Sequence, residues 1–201
     1  MSAVAGIVLA AGAGRRFGGP KALVAYDGEL LVERAVRVAS AGGCDPVLVV
    51  LGASADEVQE RADLGSAVVV VAPDWERGMS ASLQAGLAAV TTTGAAAAVV
   101  VLVDQPLVAP EVIERLRSAW GGGAVAAVAG YDGQLRNPAL FDRSVWAEVS
   151  AAAHDDVGAR PWLTAHRAEV TAVECADIAS AADIDTPSDL DGLARDRSAG
   201  E

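Results

Sequence analysis

The chain has 201 residues, with 27 acidic and 15 basic side chains and a formal net charge of −12. That is the size of one domain, and the wrong sign for nucleic acid or an anionic membrane surface, which need a basic footprint. Apolar residues make up 52% against 21% charged, a globular balance, and with 4% aromatics but 44 alanines the core must be built from Ala, Val and Leu in close backbone packing.

Strands and helices alternate along the chain. Val4–Ala10 is a continuous apolar run ending in glycines, as in a buried parallel strand. Leu30–Ala41 places apolar residues at 31, 35 and 38 against Glu33, Arg34 and Arg37, which is amphipathic helix spacing. Pro46–Leu51 reads as a strand, Ala53–Ala62 as a polar-faced helix, Ala67–Ala72 as a strand and Met79–Val90 as a helix. Ala96–Val103 is the fourth strand, Pro110–Trp120 a helix with Pro in its first turn, and Ala124–Ala129 the fifth strand. Beyond it come a turn at Tyr131-Asp132-Gly133, a short apolar stretch Pro138–Phe141, helices near Ser144–Ala153 and Ala159–His166, and a strand Glu169–Glu174. Ser188 to Asp191, after Thr186-Pro187, reads as an acidic helix start, and the polar stretch from Arg195 as a frayed tail. The alternation implies βαβ units and a mostly parallel sheet covered on both faces, with ligands beyond the carboxyl ends of the strands.

Charge is spread unevenly. Residues 1–21 hold Arg15, Arg16 and Lys21 and no acid, so the other 180 residues carry −15. These cations lie in Leu9-Ala-Ala-Gly-Ala-Gly-Arg-Arg-Phe-Gly-Gly-Pro-Lys21, directly after the first strand. Glycine lets backbone amides approach a ligand and the cations supply charge, which describes a polyphosphate site. A dinucleotide fingerprint fails at Phe17, where its third glycine should stand, and a Walker A loop fails because Ala22 follows the lysine. At the end of the fourth strand, Asp104 must be solvated, paired or metal-bound, or else cap the next turn. Opposite a phosphate loop, Mg²⁺ is its natural partner, with Asp183 or Asp185 within reach as a second carboxylate. Ser80 is either a cap for the helix it opens or, with Ser82 and Gly86, part of a small-residue face on which a flat base could lie. Cys44 and Cys175 read as buried free thiols, and His154 and His166 as surface residues. No basic residue precedes the first apolar stretch, and the longest apolar run, Ala95–Val103, is too short to span a bilayer, so a cytoplasmic protein is expected.

Five motifs occur in a telling order: Leu9-Ala-Ala-Gly-x-Gly-x-Arg16-x-Gly-x-Pro-Lys21, Gly78-Met-Ser-x-Ser82, Asp104-Gln-Pro106, Gly158-Ala-Arg160 and Asp183-Ile-Asp-Thr-Pro187. Together they resemble the MobA/MocA-like nucleotidyltransferases, closest to the molybdenum-cofactor cytidylyltransferase branch, from about residue 4 to 191. The resemblance implies a single-domain three-layer α/β/α fold of the nucleotide-diphospho-sugar transferase type. It would comprise a nucleotide-binding half of about residues 1–110, an acceptor-binding half of about 111–194 and a tail of 195–201. It implies that Leu9, Ala10, Ala11, Gly12, Gly14, Arg15, Arg16, Lys21, Ser80 and Ser82 bind the nucleotide, and that Arg16, Lys21 and Asp104 carry catalysis with Mg²⁺ on Asp104. It further implies that Leu-Ala-Ala-Gly rather than Leu-Ala-Gly-Gly favours cytosine, so that CMP passes from CTP to the phosphate of a molybdopterin-type acceptor. A transient contact with a molybdoenzyme or its chaperone would follow. Arg136, Asn137 and Arg160 fall in the acceptor half, where Arg136-Asn137-Pro138 replaces the usual Gly-His-Pro. A guanylyl or other-acceptor transferase, and a quinone-type reductase of the nicotine-blue kind, are the alternative activities on this fold.

Overall fold

β1 (Val4–Leu9) is buried along its whole length, in the middle of a seven-stranded sheet. The structure, a computed structural model, describes residues 2–198. After β1 come a two-residue hairpin, β2 (Ala25–Tyr26) and β3 (Glu29–Leu30), then α1 (Leu31–Ala41), β4 (Val47–Leu51), α2 (Ala55–Arg61) and β5 (Val68–Val71). α3 (Met79–Thr91), β6 (Ala97–Leu102), α4 (Pro110–Gly121), β7 (Ala126–Tyr131) and β8 (Gln134–Asp142) follow. α5 (Trp146–Ala152), α6 (Arg160–Ala165), β9 (Val170–Glu174) and α7 (Pro187–Ser198) complete the chain.

The sheet order is β5-β4-β1-β6-β8-β7-β9, and every pairing is parallel except the two made by β8. Side chains alternate across it. Val8, Val49, Val99 and Val101 pack under α1 and α4, while Ile7, Val50 and Val100 pack under α3, α5 and α6. Close backbone approach is literal at Gly86 of α3, where a Cβ would meet Ile7 Cγ2 at 2.6 Å. That glycine seats the helix on β1, so it does not form the open face for a base suggested by its spacing from Ser82.

Local chemistry accounts for the element ends. The Glu33 carboxylate accepts from the Leu30 N–H at 3.1 Å at the start of α1. Asp189 accepts from the Thr186 N–H at 2.7 Å and its hydroxyl at 2.9 Å, which caps α7 as the acidic helix start anticipated. Three expectations need correction. The stretch Pro138–Phe141 is the inner part of the longer strand β8, whose first three residues are exposed. Position 195 does not begin the tail, since α7 runs through Ser198, and residues 199–201 lie outside those described. His166 is half-buried rather than on the surface, stacked on Trp162 with ring centroids 4.3 Å apart. Both thiols are free and buried, and burial pushes Cys44 up to about 12. No helix among the described residues is long and apolar enough to cross a membrane.

Candidate functional site

The chain leaves β1 through Ala10, whose N–H is held by the Val50 carbonyl at 2.9 Å. The next six amides, from Ala11 to Arg16, donate to no acceptor among the described residues. Gly14 explains why. Its φ of +59° turns the loop back so that its carbonyl accepts from the N–H groups of Phe17, Gly18 and Gly19 at 2.9, 2.9 and 3.3 Å. A Cβ there would lie 1.8 Å from the Gly19 carbonyl oxygen, so no other residue fits. The loop satisfies its second half internally and leaves a run of donors at the strand's carboxyl end. Unpaired main-chain amides in such a turn form an anion-binding concavity.

Lys21 closes the loop on Asp104 beyond β6. Its Nζ lies 2.8 Å from Asp104 Oδ2 and 2.6 Å from Asp185 Oδ1, and Arg16 grips Asp185 with both terminal nitrogens at 2.9 and 3.1 Å. Burial pushes the Lys21 ammonium down, but the two carboxylates outweigh it and hold it above its ordinary value of 10.5. The Lys21 hydrogen bond, against a smaller opposing effect of burial, holds Asp185 below the usual carboxylate range. Asp183 behaves oppositely. Burial pushes it up against a hydrogen bond from Gln105, and the charges of Asp104 and Asp185 push the same way as burial. Sequence positions 16, 21, 104, 183 and 185 thus meet in one place, and Asp104 is paired rather than acting as a cap.

The other predicted residues distribute around this network. Leu9, Ala10 and Ala11 are buried at its base, Gly12 is exposed, and Arg15 is exposed with no partner among the described residues. Ser80 and Ser82 are buried in the first turns of α3. Ser80 is not the cap of that helix. Gly78 holds the cap position, the Ser80 N–H donates to the Asp155 carbonyl at 3.0 Å, and Asp156, 77 residues away in sequence, accepts the Met79 N–H at 3.1 Å. Arg136 is exposed on the β7–β8 hairpin, bonded to Gln134 at 3.1 Å, and Arg160 is exposed at the start of α6. Neither forms an ion pair with a described residue, and Asn137 is half-buried.

Gln105 escaped the sequence reading. It is 6% exposed, its Nε2 donates to Asp183 Oδ1 at 2.9 Å, and its Oε1 is buried without a partner among the described residues. Such an orphaned acceptor costs about 1–3 kcal/mol. The only available signal was its place beside a strand-end carboxylate in Asp-Gln-Pro.

A mostly parallel sheet, an amide-rich loop after its central strand and cations facing strand-end carboxylates define a nucleotidyltransferase-type α/β protein. A family model, the MobA-like NTP transferase domain, matches residues 6–170, and the chain belongs to that family. A nicotine blue oxidoreductase of Paenarthrobacter nicotinovorans is 39% identical over 190 residues, covering 91% of this chain and 92% of the relative. A probable molybdenum cofactor guanylyltransferase of Opitutus terrae is 36% identical over 132 residues, 66% of this chain and 63% of that protein. Among solved structures, the homologue of Mycobacterium tuberculosis Rv0371c from Mycobacterium sp. strain JC1 superposes with a TM-score of 0.85 at 32% identity, covering 98% of both chains. Rv0371c in complex with manganese superposes with a TM-score of 0.79 at 30% identity, covering 96% of this chain and 98% of that one.

Proposed function

We propose that this protein transfers a nucleoside monophosphate, CMP from CTP, to the phosphate of a small molybdopterin-type acceptor and releases pyrophosphate. The observation that carries the reading is the convergence of Arg16, Lys21, Asp104 and Asp185 beside six amides that donate to no acceptor among the described residues. An acceptor phosphate is already an anion and needs no activated Ser, Cys or His. The protein has to align two anions and neutralise charge on the leaving oxygens. The amides and the two cations would receive the triphosphate, and Asp185 holds those cations until phosphate oxygens replace it.

A divalent cation suits this donor set. Asp104 and Asp185 direct one oxygen each at a single positive centre, and two carboxylates completed by substrate phosphates are a common Mg²⁺ arrangement. No group of three His, Cys, Asp or Glu side chains among the described residues forms a metal site by itself, so nucleotide phosphates would complete the shell. Asp104 and Asp185, rather than Asp183, are the ligands this geometry favours. When bound, the metal supplies charge neutralisation at the reacting phosphate. Cytosine is favoured by Ala11 in Leu9-Ala-Ala-Gly12, as the family resemblance implies, whereas the Opitutus relative bears a guanylyltransferase name.

A second reading, an NAD(P)H-dependent quinone-type reductase, is favoured by the 39% identity to the nicotine blue oxidoreductase. Against it, Phe17 breaks the dinucleotide fingerprint and β4 ends in Gly52-Ala-Ser, with no acid to hold a ribose. One experiment separates the two. The protein is incubated with Mg²⁺, molybdopterin and each nucleoside triphosphate in turn, and pyrophosphate is measured. Release with CTP is expected; NAD(P)H oxidation by a dye with no triphosphate requirement would overturn the proposal.

A further inference from the structure

We infer that Gln105 is a positioning residue that decides which carboxylate of the Asp183-Ile184-Asp185 strap meets the cationic centre, an inference that rests on the nucleotidyl-transfer reading above.

The strap lies across the end of β6 on three successive attachments. Gln105 Nε2 donates to Asp183 Oδ1 at 2.9 Å, the Ile184 N–H donates to the Asp104 carbonyl at 2.8 Å, and Asp185 receives Lys21 and Arg16. Ile184 is fully buried, which fixes the middle of the strap. Asp183 and Asp185 are two residues apart, and both lie close enough to Lys21 to feel its charge. Either could be drawn toward Lys21. Only Asp185 pairs with it, because Asp183 is held by the Gln105 amide, its one hydrogen-bond donor among the described residues.

Packing does not explain this residue. An apolar side chain at 105 would leave no orphaned acceptor, whereas the glutamine buries its Oε1 unpartnered to present its NH₂ to Asp183. Without that donor, Asp183 would be free to turn toward Lys21, crowd Asp185 and compete for the position from which Asp185 meets the metal. Partners that orient ligating side chains are worth about 10–100-fold in metal affinity, and a partner that withdraws a competing carboxylate acts at the lower end of that scale.

The test uses Gln105→Glu, which keeps the shape but removes the donor, and the reciprocal pair Gln105→Glu with Asp183→Asn, which restores the hydrogen bond with donor and acceptor exchanged. Mn²⁺ affinity is read by the resonance of the free ion in the presence of an unreactive CTP analogue, alongside the affinity for the same analogue without metal. Gln105→Glu should weaken Mn²⁺ about tenfold while metal-free analogue binding stays within about twofold, and the pair should return Mn²⁺ affinity to within about threefold of wild type. Wild-type Mn²⁺ affinity in Gln105→Glu, equal loss of both affinities, or a double variant no better than the single would overturn the inference alone. A wild-type protein that binds neither Mn²⁺ nor the analogue would overturn the nucleotidyl-transfer reading and the inference with it.

Discussion

The two halves of the carboxyl edge are built differently. Beyond β1 and β6, every predicted phosphate or metal group except Arg15 is already engaged: Arg16 and Lys21 with Asp185, Lys21 with Asp104, Asp183 with Gln105. Elsewhere, Arg136 on the β7–β8 hairpin and Arg160 at the start of α6 are exposed cations without carboxylate partners among the described residues, and Leu135 stands 44% exposed beside Arg136. A site whose charges are satisfied at rest is preorganised and loses little on receiving a ligand of fixed shape. Exposed cations with no such partners are ordered by their ligand. Under the proposed function the first would receive the triphosphate and the second the acceptor.

Removing Asp104 should break the ordered half most severely. Asp104→Ala is expected to lower pyrophosphate release about 10³-fold or more. The fold should persist, because the strap is held by the main-chain carbonyl of residue 104 and Lys21 keeps Asp185. An unchanged circular-dichroism melt with no turnover is the expected pair of results, and wild-type turnover in Mg²⁺ would mean that this half is not catalytic. Lys21→Ala comes next, at about 10²–10³ in rate, with the loss mainly in kcat because the cation meets charge that develops on the leaving oxygens.

Most of the ordered half was legible in the sequence. Apolar runs over Val4–Leu9, Val47–Leu51 and Ala97–Leu102 mark strands buried on both faces, and the loops after the first and third hold Arg16, Lys21 and Asp104, which the structure brings together. Thr186 and Asp189 announce their capping box within four residues. What the sequence hides is pairing over distance. Gln105 finds Asp183 across 78 residues and Asp156 finds the α3 amide across 77, and no local period encodes either partner. β8 was hard to see for a related reason. Gln134-Leu-Arg-Asn is mixed in polarity because it projects into solvent, and its antiparallel place between β6 and β7 depends on contacts that only the assembled sheet supplies.

The open half yields smaller effects. Arg136→Ala should raise the acceptor KM about tenfold, the worth of one charge-assisted contact of about 1.4 kcal/mol, and leave the triphosphate KM unchanged. Equal changes in both would mean that the hairpin serves the nucleotide and that the division between halves is misplaced.

The smallest effect concerns how the hairpin is anchored. At the other end of β8, Asp142 accepts from Trp120 Nε1 of α4 at 2.7 Å and from the Ser144 N–H at 2.9 Å, which fastens the strand to the helix above it and to the turn that follows. Burial pushes its carboxyl up, but the Ser144 and Trp120 hydrogen bonds prevail and hold it below the ordinary 3.8. A carboxyl whose folded value is depressed stabilises the protein above its unfolded value and loses that contribution as pH falls through the folded one. Asp142→Asn should therefore cost about 1 kcal/mol at neutral pH and progressively less below about pH 4, where the wild-type group takes up its own proton. Urea melts at pH 7 and pH 3 would measure the two gaps. A gap that did not narrow in acid would mean that the charge on Asp142 is not what fastens this end of β8, and the strand would then owe its place to its pairing with β6 and β7 and to the packing of Leu140 and Phe141.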